Sequence, residues 1–239
     1  MKSHKLCSNL LLIPFICLTI FIALIYPSIL SAETTSSRPI VAVVSLSVND
    51  YSKMLSSAGG ADSSFLINNS MNRMLQISEE HLSKYWDVKP ADSFISDPEY
   101  INLSLGRAKQ GLFNPQLGDN QMPNFTDDRG EIIKSVLKTD TAKSLCETLN
   151  VDYLMVVYSE WAVATGRFVP TNKALAKNCV AMYNKSGKKL FFARKDVMGE
   201  KTLGAVGKIA LNDETINEWV TAYNKGIEYI LESQNKKVK

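Results

Sequence analysis

The stretch that decides the fold is PIVAVVSLSV, residues 39–48, near the start of a chain of 239 residues. It is apolar at consecutive positions and rich in β-branched residues, which predicts a central strand covered on both faces. A second apolar stretch, VDYLMVVYSEWAVATG (151–166), predicts another strong strand. Helical patterns separate the two stretches, so we expect the early strands to lie parallel in one sheet.

Outward from these strands, the chain alternates helical and extended patterns. An amphipathic helix ends near Trp86, and a weak strand and two helical patterns follow it. CVAMYN (179–184), a turn and KLFFARKDV (189–197) predict an antiparallel hairpin. A closing helix begins at Asn212 or Asp213. The predicted order is β-α-β-α-α-β-β-β-α, an α/β fold with a mixed sheet, helices packed on it and a single domain.

Three stretches are predicted to lack regular structure. RFVPTNKALAKN (167–178) is interpreted as a short break between strands, and MGEKTLGAVGKIAL (198–211) as a glycine-punctuated loop. Residues 111–129 contain Gly, Pro, Asn and Asp throughout and show no periodicity, which predicts a long loop. Long loops in compact domains are usually functional or mobile.

The N-terminus has the layout of a secretory signal peptide. A short basic segment (1–5) precedes an apolar run (10–25), and the small residue Ala32 precedes the acidic Glu33. We therefore expect a signal peptide over 1–32 that is cleaved between Ala32 and Glu33.

An uncleaved membrane anchor is the alternative to cleavage. As a helix, the apolar run spans roughly 24 Å, which is short of the ~30 Å hydrocarbon core. Lys2 and Lys5 keep the amino end inside, so both alternatives place the domain outside the cytoplasm, and we expect a periplasmic protein. Any membrane contact would come only from this segment. Residues 33–38 are then a short linker and 39–235 the single domain.

Net charge argues against nucleic acid as a partner. Lys and Arg number 27 and Asp and Glu number 24, which gives +3. Removing residues 1–32 takes away Lys2 and Lys5 and leaves +1. A nearly neutral domain offers no electrostatic basis for binding phosphate backbones.

The glycine-bearing loops do not match the known phosphate-binding motifs. SSAGGADSS (56–64) contains only Gly59 and Gly60, whereas a dinucleotide loop needs G-x-G-x-x-G. TLGAVGKI (202–209) lacks the first glycine and the Ser or Thr of a Walker loop. We therefore expect no cofactor.

Histidine is too scarce for a metal site built on it. His81 is the only histidine after residue 32, so a catalytic triad could be built only around it. We expect no metal and no catalytic residues. The alternative is a small-ligand-binding protein or a hydrolase with a cleft near Ser63 and His81.

Cys146 and Cys179 are the only thiols that remain after removal of the signal segment. Export permits a disulfide between them. A disulfide, however, needs Cα atoms within about 7 Å, and Cys146 is predicted on a helix while Cys179 begins a strand. We expect two buried, unpaired thiols, and the bridge remains the alternative.

One region resembles a known family. TAKSLCETLNVDYLMVVYSE (141–160), followed by a strand that ends in YNKSG (183–187), is similar to the periplasmic α/β domains of the curli-secretion lipoprotein and TolB N-terminal type. The resemblance implies a non-catalytic part of envelope assembly or transport machinery. This chain lacks the lipobox cysteine and has a long segment at 94–127, so pore formation is not implied.

The sequence therefore predicts an exported, non-enzymatic α/β domain that binds a protein partner in the bacterial cell envelope. The expected contact surfaces are the 111–129 loop and the strand extension SEWAVATGRF (159–168). The candidate partner-binding residues are Phe113, Phe125, Trp161 and Phe168, and of these we expect Trp161 and Phe168 to be exposed.

Overall fold

The structure is a computed structural model that describes residues 38–50, 63–105, 122–166, 171–205 and 212–238. The predicted signal peptide with its cleavage position at Ala32 and Glu33, and the candidate residues Phe113 and Phe168, lie outside the described residues.

Five strands and five α-helices make up the described part of the chain. The strands are β1 (Ile40–Asp50), β2 (Asp87–Val88), β3 (Tyr153–Thr165), β4 (Thr171–Asn184) and β5 (Lys189–Ala205). The helices are α1 (Ser63–Ser83), α2 (Pro98–Leu103), α3 (Arg129–Ile133), α4 (Thr139–Leu149) and α5 (Asp213–Val238). The prediction of a single α/β domain is confirmed, and the order differs from the predicted one by one additional short helix before β3.

The described strands form one mixed sheet in the order β2-β1-β3-β4-β5. β1 runs parallel to β2 and β3, whereas β4 is antiparallel to both of its neighbours, β3 and β5. The two apolar stretches that decide the fold are therefore adjacent strands, and the expectation that the early strands lie parallel in one sheet is confirmed. β1 pairs with β3 from Val41 as far as Asp50, which lies opposite Trp161.

Two of the predicted irregular stretches are extended strands. β4 begins at Thr171, so TNKALAKN (171–178) is strand and not a break, and it pairs with β3 along its length. β5 continues to Ala205, which adds MGEKTLGA (198–205) to the hairpin. The backbone hydrogen bonds of the β3–β4–β5 ladder stabilise both extensions although their local sequence is rich in residues that disfavour strands.

One face of the sheet, here called the helix face, is covered by α1 and α5. α1 packs on α5 and β1, and hydrogen bonds join the two helices between Ser78 and Tyr223 (2.6 Å) and between His81 and Asn224 (2.6 Å). α5 carries a stripe of large apolar residues at helical spacing, and the whole stripe is buried in the core. Its members are Ile216, Trp219, Val220, Tyr223, Ile227, Ile230 and Leu231.

The opposite face is covered by the segment that includes α3 and α4. Ile132 of α3 packs against Tyr158 and Cys179, which are direct partners on β3 and β4. Tyr183 accepts a hydrogen bond from the amide of Leu137 (2.9 Å). This segment covers the part of the face nearest the start of β3, and its main contacts do not extend to β5.

The turn between β4 and β5 depends on Gly187. Its φ is +76°, and a Cβ at this position would lie 2.3 Å from the carbonyl oxygen of Thr139. Only glycine allows this close approach, which fixes the hairpin against the start of α4.

Candidate functional site

The far ends of β3, β4 and β5 expose part of the sheet opposite the helix face. Along a strand, alternate side chains point to opposite faces, and the register places matching positions side by side. We call this surface the open face, and its residues are Glu160 and Ala162 on β3, Leu175 and Lys177 on β4, and Arg194, Asp196 and Met198 on β5.

A charged row crosses the open face. Glu160, Lys177 and Asp196 are direct cross-strand partners, and Lys177 forms an ion pair with Glu160 at 2.5 Å. The side chains of that pair are only 27% and 18% exposed, so the pair is more shielded from water than a typical surface ion pair. On β5, Arg194 donates two hydrogen bonds to Asp196, at 2.8 and 2.9 Å. The positive and negative side chains of this row are therefore already paired with one another within the chain.

An apolar row lies beside the charged one. Ala162, Leu175 and Met198 are cross-strand partners, and Met198 is 52% exposed. Phe192, on the same face of β5, is 41% exposed. Large apolar side chains exposed next to mutually paired charges are a combination found at protein–protein interfaces.

Trp161 does not lie on this surface. It is 4% exposed and stacks on Trp219 of α5, with ring centroids 5.9 Å apart. Trp219 donates a hydrogen bond through Nε1 to the carbonyl of Ala162 at 2.8 Å. The expectation that Trp161 is exposed is therefore wrong, because the alternation of β3 turns it toward the helix face. Its neighbours Glu160 and Ala162 point the other way.

Phe125 is also buried, at 8% exposure, and packs edge-to-face on Tyr100, with ring centroids 6.0 Å apart. As a candidate partner-binding residue, Phe125 therefore offers a partner little surface, since the described part of the 111–129 loop folds onto the sheet. Tyr100 donates a hydrogen bond from its hydroxyl to the carbonyl of Val44 at 2.7 Å, which ties this aromatic pair to β1.

A small cavity lined by both polar and apolar residues lies beneath this segment. It has a volume of about 10 Å³ and is lined by Ser45, Ser47, Asn124 and Ser135, among others. That volume is room for one water molecule. Asn124 is 7% exposed, and its Nδ2 has no hydrogen-bond partner. One bridging water would satisfy the Nδ2 of Asn124. A cavity of this volume is too small for a metabolite.

The alternative prediction is a ligand-binding or hydrolase cleft near Ser63 and His81. Of these two residues, only His81 has a described side chain. Its Nε2 lies 2.6 Å from Oδ1 of Asn224, and the ring is half-buried between α1 and α5. The backbone of Ser63 begins α1, while its side chain lies outside the described residues. The hydrogen bond between His81 and the side-chain amide of Asn224 links α1 to α5. It does not activate a nucleophile.

The two cysteines lie in different environments. Cys146 belongs to the main core, whereas Cys179 packs with Ile132 and Tyr158, and both are buried free thiols. Burial raises the pKa of each thiol to about 11, so both are protonated at neutral pH. They are poor nucleophiles as a result.

Cys146 borders a groove of about 260 Å³ at the start of β1. Asp152 lines it, accepting a hydrogen bond from the amide of Ile40 at 3.0 Å and pairing with Lys185 at 3.2 Å. The Ile40 amide is the main cause that lowers the pKa of Asp152. This carboxylate therefore holds the first residue of β1 in place, which is a structural task.

Within the described ranges, no group of three or more His, Cys, Asp or Glu side chains is arranged to hold a metal ion. None of the helices in the same ranges is long and apolar enough to span a membrane.

Sequence reasoning missed the charged part of the open face. The alternation Phe192, Arg194, Asp196 is visible in the sequence as a period of two within a predicted strand, and Met198 follows directly after that strand. It could have indicated one exposed face. The cross-strand row of Glu160, Lys177 and Asp196 depends on the register of β3 and β4, which the sequence does not specify.

Comparisons with known proteins found likeness in structure alone. No family model matches the chain, and no curated protein matches it in sequence. The lipoprotein GNA1162 from Neisseria meningitidis has a TM-score of 0.39 and 13% identity, covering 77% of this chain and 94% of that one. The hypothetical protein CT253 from Chlamydia trachomatis has a TM-score of 0.42 and 11% identity, covering 84% and 98%. Values this low are no basis for transferring a binding partner or an activity.

Proposed function

We propose that this chain is an exported, non-enzymatic domain that binds a protein partner in the bacterial cell envelope through the open face. The observation that supports this most is the apolar row of Ala162, Leu175 and Met198, which lies on a sheet face away from α5, the main helix contact of β5.

The chemistry of the open face fits a partner that binds and dissociates. Non-obligate interfaces are about as apolar as the rest of a protein surface, with aromatic residues, Met and Arg enriched in them. Met198, Phe192 and Arg194 supply these residue types, while the Glu160–Lys177 pair is already satisfied within the chain. A partner would cover the apolar row without leaving a buried charge unpaired.

Export is supported by the sequence of residues 1–33. We expect the mature protein to begin at Glu33 and to be periplasmic, with an uncleaved anchor as the alternative. The intact mass of protein taken from the periplasmic fraction measures this. A species that retains Met1–Ala32 in that fraction would contradict cleavage.

The alternative of a small-ligand binder or hydrolase near Ser63 and His81 has less support. His81 contacts Asn224, and the described residues bring no hydroxyl or carboxylate to its Nε2. The remaining candidate contact surface, the 111–129 loop, has its described part packed on Tyr100. The strand extension is thus the part of the predicted surface that we retain.

Site-specific photo-crosslinking in intact cells tests partner binding. A photo-reactive residue at Met198 should give a discrete adduct with one envelope protein, identified by its peptides. The matched control is Ile101, which is 46% exposed on α2, a helix whose main contact is with α4. An adduct that contains only this chain's own peptides is a self-adduct and does not count as a partner.

Two outcomes would contradict the proposal. One is the absence of any partner adduct from Met198, and the other is an identical set of adducts from Met198 and Ile101. In a second measurement, Leu175→Glu should abolish the partner adduct, because it places a charge in the middle of the apolar row. The thermal melt of that variant shows whether the fold is intact.

A further inference from the structure

β5 is the outer strand of the described sheet, and it is long enough to pair with another strand. It is 17 residues long, and its register with β4 is regular from Phe191 to Met198. An edge strand presents unpaired backbone N–H and C=O groups, which can form a ladder with a second chain. Irregular pairing of Gly199, Glu200 and Lys201 interrupts the strand after Met198 and limits the length available.

We propose that two copies of this chain pair through β5, antiparallel and centred on Lys195. The sequence FARKDVM (192–198) is self-complementary about its middle residue. In that register Phe192 lies opposite Met198 of the second copy, and Arg194 lies opposite Asp196. A two-fold axis produces each of these contacts twice.

The side chains that would meet are exposed on the open-face side of β5. Phe192 and Met198 are 41% and 52% exposed, and they are two of the few large apolar side chains that the described chain exposes. Arg194 and Asp196 are half-exposed and are already paired with each other within the strand. Across the two-fold axis, Arg194 of each copy lies opposite Asp196 of the other, so opposite charges face each other and no ion pair is lost.

Lys195 is the one residue that would face its own copy, and like charges directly opposite each other are destabilising. Its side chain points to the helix face, where Nζ lies 3.9 Å from the ring centroid of Tyr229 on α5. This cation–π contact holds the ammonium group over its own helix. Tyr229 is 54% exposed and reaches the same edge of the sheet.

This inference goes beyond the proposed function, because it concerns the edge of β5 and a second copy of the chain. Its test uses purified exported protein with no partner present. Failure to dimerise therefore leaves the crosslinking result for the envelope partner unaffected. Likewise, a missing partner adduct leaves the dimerisation result unaffected.

Charge reversal provides the first test, with sedimentation velocity at several concentrations as the measurement. Arg194→Asp places two acids opposite each other, and Asp196→Arg places two cations opposite each other. Either change should weaken the dimer roughly tenfold or more. The double variant R194D/D196R should restore dimerisation, because the reversed charges are again complementary. Lys84→Glu, on the α1–α5 surface, should leave dimerisation unchanged.

A cysteine on the axis provides the second test. Residues directly opposite each other in antiparallel strands have Cα atoms about 4.5–5.5 Å apart, within reach of a disulfide. Lys195→Cys should therefore form a covalent dimer under mild oxidation. Lys201→Cys, which is exposed on the same strand but off the axis, is the matched control and should not.

Four results would overturn the proposal. The first three are a monomer at every concentration measured, a double variant as monomeric as the single ones, and equal crosslinking of Lys195→Cys and Lys201→Cys. A monomer that binds an added extended peptide along β5 would also overturn it, since the edge would then take a strand from another protein. Thermal melts of all variants show whether a loss of dimer reflects unfolding.

Discussion

Trp161 on β3 and Trp219 on α5 stack with their ring planes 16° apart and their centroids separated by 5.9 Å. This contact joins the strand extension to the closing helix, and it buries both rings almost completely. It also determines which side of β3 is free, because a strand that turns Trp161 toward α5 turns Glu160 and Ala162 toward the open face.

Replacing Trp161 tests whether the stacked pair stabilises the fold. Trp161→Ala should lower the free energy of unfolding by about 3–5 kcal/mol, since it leaves a large cavity against α5. Trp161→Phe should cost much less, because Nε1 of Trp161 has no hydrogen-bond partner to lose. Urea unfolding measures both variants, and Phe192→Ala on the exposed side of β5 is the control. Equal, small losses for Trp161→Ala and Phe192→Ala would contradict the role of the stack.

The sequence predicted the elements of the fold better than the direction of individual side chains. The period of 3.6 residues in α5 is strong, and every member of its stripe is buried. SEWAVATG (159–166) is apolar at both alternating sets of positions, so its pattern does not determine which face Trp161 joins. Phe125 lies in a stretch without periodicity, where burial against Tyr100 depends on tertiary contacts alone.

The candidate site shows the same limit. Glu160 and Lys177 are 17 residues apart in sequence and become partners only through the β3–β4 register. That register is continuous from Tyr153 to Thr165, through a stretch at the start of β4 that the sequence indicated as irregular. The strands of the open face were therefore predicted in part, whereas the rows across them were not.

Close packing at Gly226 should make this position intolerant of a side chain. A Cβ there would lie 2.1 Å from Nδ2 of Asn178, a buried side chain that donates no hydrogen bond through that atom and accepts one from Ser159 at 2.8 Å. We expect Gly226→Ala to cost about 1–3 kcal/mol because α5 must move away from the sheet. Urea unfolding gives the value.

A double-mutant cycle identifies the cause of that loss. Asn178→Ala removes the atom that a new Cβ would meet, so Gly226→Ala should cost clearly less in the Asn178→Ala background than in the natural chain. Strict additivity of the two changes would show that Gly226 is required for some reason other than contact with Asn178.

Removing α5 should unfold the domain. Its buried stripe has seven large apolar residues, and burying each is worth about 1.5–3 kcal/mol, while the net stability of a domain is only about 5–15 kcal/mol. A chain that ends at Asn212 should show no cooperative thermal transition in circular dichroism. Removing only residues 235–239, beyond the last member of the stripe, is the control and should leave the transition in place. A normal melt of the chain that ends at Asn212 would show that α5 is dispensable for folding.

The buried thiols should lower the stability of the folded protein at alkaline pH. Burial raises the pKa of Cys146 and Cys179 to about 11, above the value near 8.5 of a free cysteine in an unfolded chain. Between these values the unfolded chain loses protons that the folded chain retains, so the stabilisation is complete below about pH 8.5 and is lost as the pH rises toward 11. The urea midpoint should therefore fall between pH 8 and pH 10.5, and by less in the variant C146A/C179A. Two thiols should react under denaturing, non-reducing conditions and neither should react quickly in the folded protein. A count of zero in denaturant, with a mass lower by two protons, would show a disulfide instead and would remove the basis of the alkaline effect.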